Sequence, residues 1–173
     1  SSSTVLYGDQ TYKAEPGGGK ILQIVQAIKT DSYTASVDET WTDFPDLTVT
    51  TGTLASSSSR IMVIVNVQMI GGDYSGWKIT DAAGSDITNF IGDTASSRIR
   101  STGGSMWRSD NYQNYGGAAT LITTPGVTTA QTYKVQWFSS SASAVYLNRG
   151  IADSDSTDHY RSVSSITAIE IGA

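Results

Sequence analysis

The sequence has no cysteine, one histidine, three prolines and little charge of either sign. Without cysteine there are no disulfides, no thiolate metal sites and no cysteine nucleophile. A single histidine, His159, excludes a two-histidine metal site and is the only imidazole available as a general base. Eleven Lys and Arg against sixteen Asp and Glu leave a net charge of −5. That balance is the reverse of the basic stripe that neutralises nucleic-acid phosphates and of a polybasic membrane patch. No apolar run approaches the ~18 residues needed to span a bilayer. No basic segment followed by an apolar one marks a secretory leader, and the opening Ser is expected of a processed chain or a piece of a longer one.

What is present is hydroxyl. The chain holds 47 Ser and Thr, with 17 Gly and 9 Tyr, among 173 residues. One domain of this length buries roughly 70% of its unfolded surface. Residues 1–19 differ from the rest: a polar start, a short alternating stretch, then Glu15-Pro16-Gly17-Gly18-Gly19, a cluster that no strand or helix interior tolerates. They read as an extended arm and linker, with a globular domain over 20–173. Within it, period-two alternation and β-branched residues predict strands over 20–28, 40–44, 47–54, 60–70, 76–81, 87–92, 118–123, 132–138, 144–148 and 165–171. The clearest is 60–70, with Ile61, Val63, Val65, Val67 and Met69 on one face and Met62, Ile64, Asn66, Gln68 and Ile70 on the other. Tyr133, Val135 and Trp137 are expected to point inward. Short strands and no convincing helix predict an all-β fold, a jelly-roll-like or Ig-like antiparallel sandwich, or a barrel.

Several segments then resemble, in order, a β-sandwich module of tailed-phage virions, especially phages of cyanobacteria and marine bacteria. They are Gly17-Gly18-Gly19-Lys20-Ile21-Leu22-Gln23, Trp41-Thr42-Asp43 with Leu47-Thr48-Val49-Thr50, and Ser58-Ser59-Arg60-Ile61-Met62-Val63. Further along come Ile91-Gly92-Asp93 with Ser97-Arg98-Ile99-Arg100, Pro125 with Thr132-Tyr133-Lys134-Val135-Gln136, Leu147-Asn148-Arg149, and 164–171. The stretch 5–13 resembles the joint before a terminal head in tail-fibre chains. The resemblance implies a jelly-roll-like virion protein, a homotrimer, used as a fibre tip or as a capsid fibre or decoration protein. It also implies that Val5, Leu6, Tyr7 and Tyr12 dock the arm onto other virion proteins, a fibre shaft or the capsid. The sequence departs from the family pattern at 71–78 and 106–115.

Those two stretches are the candidates for partner contact. Tyr74 and Trp77 lie in the first; Trp107, Arg108, Asp110, Asn111, Tyr112 and Tyr115 lie in the second. Flat aromatic faces interleaved with amides, carboxylates and guanidinium suit a host-surface glycan or protein receptor; the competing reading puts these aromatics over the core or at a trimer interface. Met62, Ile64 and Ile70 form the candidate oligomer face.

Enzyme chemistry has little footing. A glycosidase needs two facing carboxylates, and Glu15, Glu39 and Glu170 are scattered while most of the Asp residues sit in expected turns. Asp153, Asp155 and Asp158 are close enough to hold Ca²⁺, but the loop lacks the turn Gly and the distal Glu of an EF-hand, so a solvated acidic turn is expected. Gly71-Gly72 and Gly103-Gly104 have no following helix to complete a phosphate loop. No catalytic residue, metal or cofactor is assigned.

Overall fold

A computed structural model describes residues 4–6, 12–14, 19–36, 39–71, 74–104, 115–140 and 144–173, with the backbone alone for 4–6, 12–14 and 115. Within the arm, β1 (Thr4–Leu6) and β2 (Tyr12–Ala14) pair antiparallel. The remaining strands are β3 (Ile21–Lys29), β4 (Tyr33–Ala35), β5 (Thr42–Thr50), β6 (Arg60–Ile70) and β7 (Ser75–Thr80). They are followed by β8 (Gly103–Gly104), β9 (Tyr115–Thr123), β10 (Thr132–Ser139), β11 (Val145–Leu147) and β12 (Ser164–Ile171).

One sheet runs β5-β10-β7-β8. The other is built around β6. Met69 has Tyr115 of β9 on one side and Leu147 of β11 on the other, while β12 pairs Arg60 to Asn66 on that second side. So β11 and β12 lie end to end along one edge of β6, as β4 and β3 do in the next row. The rows are therefore β3/β4, β11/β12, β6 and β9. Counting eight rows in chain order, the sheets read 1-8-3-6 and 2-7-4-5, the two Greek keys of a jelly roll. The expected antiparallel jelly-roll-like sandwich is what the chain forms.

The core lies between the sheets. Ile61, Val63, Val65, Val67, Ile166 and Ala168 face Val49, Trp77, Ile79, Tyr133, Val135 and Trp137. These positions alternate along each strand because successive side chains point to opposite faces of the sheet. Burial pushes the Tyr133 phenol up to about 12.

Two places depart from simple strand reading. Pro45 does not end a strand; β5 continues through it, and residues 44–47 stand opposite Val135 alone, because Lys134 pairs Thr48 and Gln136 pairs Asp43. The bulge buries Phe44 and Leu47, and Asp46 takes a left-handed φ of 63°. Residues 87–92, expected as a strand, instead make a single 3-10 turn (Thr88–Phe90) that drops Phe90 into the core. The break between β11 and β12 is stitched by buried Asn148, at φ 60°. Its backbone N–H donates to Gln68 O, its Nδ2 to the carbonyls of Lys29 and Asp31, and its Oδ1 accepts from Ser164 Oγ. Ser164 Oγ in turn accepts from the Gln68 N–H.

Candidate functional site

The outer face of the β5-β10-β7-β8 sheet carries the aromatic cleft of this molecule. Trp77 and Ile79 point to the core, so alternation sends Gly76, Lys78 and Thr80 outward, with Gln136 and Phe138 beside them. Trp41, just ahead of β5, lies over this face. Its ring sits 5.3 Å from that of Phe138, tilted by 43°. The Lys78 ammonium is 4.4 Å from the Trp41 centroid and 2.6 Å from Asp86 Oδ1. Both contacts keep the charge satisfied although the side chain is nearly out of solvent.

The segment after β7 holds Asp86 in place. Asp81 Oδ1 accepts the N–H groups of Ala83 and Ser85, Gly84 adopts φ 82°, and Thr80 bridges Asp86. Further on, Thr102 pins the returning chain to β7. Its N–H donates to Trp77 O, its hydroxyl donates to Phe90 O, and that hydroxyl accepts the Ile79 N–H. Lower on the face, Asp43 accepts from Gln136 Nε2 at 2.7 Å and Lys134 Nζ at 3.0 Å. Burial pushes the Asp43 carboxyl up, but these two donors outweigh it and hold the group below the ordinary carboxylate value.

Between these elements opens a cleft of about 190 Å³ lined by Trp41, Tyr74, Gly76, Ile99, Ser101 and Phe138 among others. Tyr74 is 78% exposed and stands at φ 54°, a left-handed conformation a tyrosine holds only when its surroundings impose it. Among the described residues no charged side chain lines the cleft, which offers aromatic and aliphatic faces beside Ser75 and Ser101.

Of the expected partner-contact residues, Tyr74 is on this surface. Trp77 is not: it is 2% exposed, and a side chain at Gly103 or Gly117 would collide with its indole. The reason is strand alternation, which gives Trp77 to the core as the cross-strand partner of Trp137. Trp107, Arg108, Asp110, Asn111 and Tyr112 lie outside the described residues, and Tyr115 opens β9 with only its backbone described. Trp41, Phe138 and Ile99 were not singled out from the sequence. Trp41 carried the one usable signal, a tryptophan at a strand entrance two residues before an outward Asp.

Of the expected oligomer-face residues, Ile64 is exposed and Met62 half-buried on the outside of the β6 sheet, whereas Ile70 is fully buried. Ile70 pairs Tyr146, and at the next position a side chain on Gly71 would collide with Ser75. Val5 and Leu6 belong to β1 and Tyr12 opens β2, with side chains outside the description, as is Tyr7 altogether. In the 148–163 excursion Asp153 bridges Arg149 at 3.0 Å and Arg161 at 2.6 Å, and His159 Nδ1 accepts the Ser154 N–H. Among the described residues no three acidic, histidine or cysteine side chains cluster as a metal site. No helix among them is long and apolar enough to cross a membrane.

In comparisons with known proteins, no family model and no curated sequence matches the chain.

Proposed function

We propose that the chain is a structural module of a tailed-phage virion, the head of a fibre or fibre tip, and that it meets a host-surface receptor with the cleft side of the sandwich. The observation that supports this reading is the cleft itself. An aromatic surface that the fold leaves open, with a strained Tyr74 held outward on a two-sheet scaffold, suits recognition. Tyrosine and tryptophan give large contact area at small entropic cost. The segments that resemble, in order, the virion module support the setting we propose, a threefold assembly carried on residues 1–19.

Labelled protein applied to cyanobacterial and marine bacterial cells tests the reading. Binding to a subset of strains that is lost in Trp41→Ala and Tyr74→Ala supports it. Failure to bind any strain, with antibody labelling confined to the capsid shell, replaces receptor contact with a capsid decoration role. Breakdown of a host polysaccharide by the purified chain would overturn both in favour of an enzyme.

A further inference from the structure

The opposite side of the molecule presents a different surface. Cross-strand pairs on the outer face of the β6 sheet form rows that can be read from the register. One row is Ile24, Ile169, Met62 and Ile122, crossing all four strands. On one side of it lie Ile21, Ile171 and Arg60; on the other come Gln26, Thr167, Ile64 and Thr120, then Ile28, Ser165, Asn66 and Ala118. Ile21, Ile24 and Ile28 are 61%, 59% and 56% exposed, and Ile122 and Ile64 are 46% and 37% exposed.

We infer that this face is where copies of the chain meet. It goes beyond receptor contact, and it rests on the reading above only for the number of copies. Three observations choose a second copy as the occupant. The first is area. Five isoleucines at these exposures present on the order of 500 Å² of apolar surface, before the half-buried Met62, Ile169 and Ile171 are added. The largest apolar patch on a monomer is about 300–600 Å², and one partner of a stable interface contributes about 800 Å² in all.

The second is charge. The chain carries −5, so two copies repel on most approaches, yet these four rows contain no Asp or Glu and a single Arg60 at one end. On such a face an acidic protein meets its own copy at low electrostatic cost. The third is the polar remainder. Gln26, Thr167, Thr120, Ser165 and Asn66 carry hydroxyl and amide groups that both donate and accept, so identical surfaces can satisfy one another.

Light scattering and sedimentation velocity on the full chain over a wide concentration series test this. The expected result is a whole multiple of the single-chain mass. The pair Ile24→Glu with Ile122→Glu should weaken association at least tenfold and return single chains that melt cooperatively. If that pair misfolds, Ile24→Thr with Ile122→Thr keeps β-branched residues on the strands and should give the same shift. Ile99→Glu, at the cleft, should leave the mass unchanged. A wild-type chain at single-chain mass at every concentration overturns the inference. So does an oligomer whose mass neither pair alters, an outcome that leaves a self-assembling fibre head standing with its copies joined elsewhere. Receptor contact is read separately, by cell binding of Trp41→Ala, and fails or survives on its own.

Discussion

The outer face of the β6 sheet shows isoleucine to solvent, while the outer face of the β10 sheet hides a lysine. Both sheets bury equivalent inner faces and share one core, so the contrast is made by what lies outside them. Over the β10 sheet, Trp41 and the returning chain that carries Asp86 close on Lys78, and Asp43 is gripped by Gln136 and Lys134. Among the described residues, the polar groups at the centre of that side find their partners within one chain, beside the cleft. Over the β6 sheet, the side chains are the kind a core contains, yet among the described residues they stay open to solvent. A face finished with buried polar groups is satisfied within its own chain; a face left apolar and almost uncharged is the one on which our inference of self-association rests.

The sharpest break of this comparison is at Trp77, which separates the inner from the outer side of β7. Trp77→Ala should cost about 3–5 kcal/mol in urea unfolding. Tyr74→Ala, three residues earlier, should stay within about 0.5 kcal/mol. Equal costs would mean that the two aromatics do not divide between core and surface as described.

Glu170 comes next. It lies on the inner side of β12, 1% exposed, and accepts from Gln23 Nε2 at 2.6 Å and the Ala55 N–H at 2.8 Å, with the Ser59 hydroxyl beside it. Burial pushes its pKa up, but these donors outweigh burial and hold it below the ordinary 4.5. A folded-state pKa below the unfolded one contributes stability that is fully present above the unfolded value. That stability is lost as pH falls through the folded value. Glu170→Gln should therefore be less stable at neutral pH by about 1–3 kcal/mol, since its donors lose a charged acceptor. Its stability should also fall less steeply below pH 4.5 than that of the wild type, which urea unfolding across an acid series would read. Asp31 and Asp43 are also held low and remain in the variant, so the slope should flatten without vanishing.

On the covered face, Asp86→Asn removes the countercharge of Lys78. Asp86 is itself 41% exposed, so solvent screening keeps the loss to about 1–2 kcal/mol, below that of a fully buried pair. Added salt should narrow the gap between wild type and variant. No loss at all would mean that the Trp41 ring alone suffices for the buried ammonium.

Much of this architecture is legible in the sequence, and the reasons are local. β6 matches its expected bounds because Ile61 through Met69 alternates without interruption, and the inward set Tyr133, Val135 and Trp137 follows from the same period. What misled was punctuation. Pro45-Asp46 reads as a strand end, but a bulge absorbs both residues and the ladder resumes. Ile87, Phe90 and Ile91 read as a strand, but one 3-10 turn satisfies Phe90. Its place beside Gly71-Gly72-Asp73 marked Trp77 as a partner contact, although the expected strand over 76–81 and the alternation of Trp77 with Ile79 already placed it inside. No local signal shows that β11 continues into β12, because the 148–163 excursion separates the halves and only pairing with β6 reunites them. The apolar rows were half visible: Met62 and Ile64 come from one strand, but Ile24, Ile169 and Ile122 join them only through the register.

The smallest expected effect tests the open face most directly. Ile24 is 59% exposed, so Ile24→Gln removes little surface that its own chain buries. In dilute solution, where single chains prevail, the variant should unfold within about 0.5 kcal/mol of the wild type. Ile166→Ala, on the adjacent strand but facing the core, should cost about 2–5 kcal/mol under the same conditions. As concentration rises, association stabilises the wild type by mass action and lifts its melting temperature, whereas the Ile24→Gln curve should stay nearly flat. The two proteins should thus agree when dilute and diverge when concentrated. A loss above about 1 kcal/mol for dilute Ile24→Gln would mean that the side chain is packed within its own chain, since a substitution on open surface stays inside that limit. The contrast between a closed face and an open one would then fall.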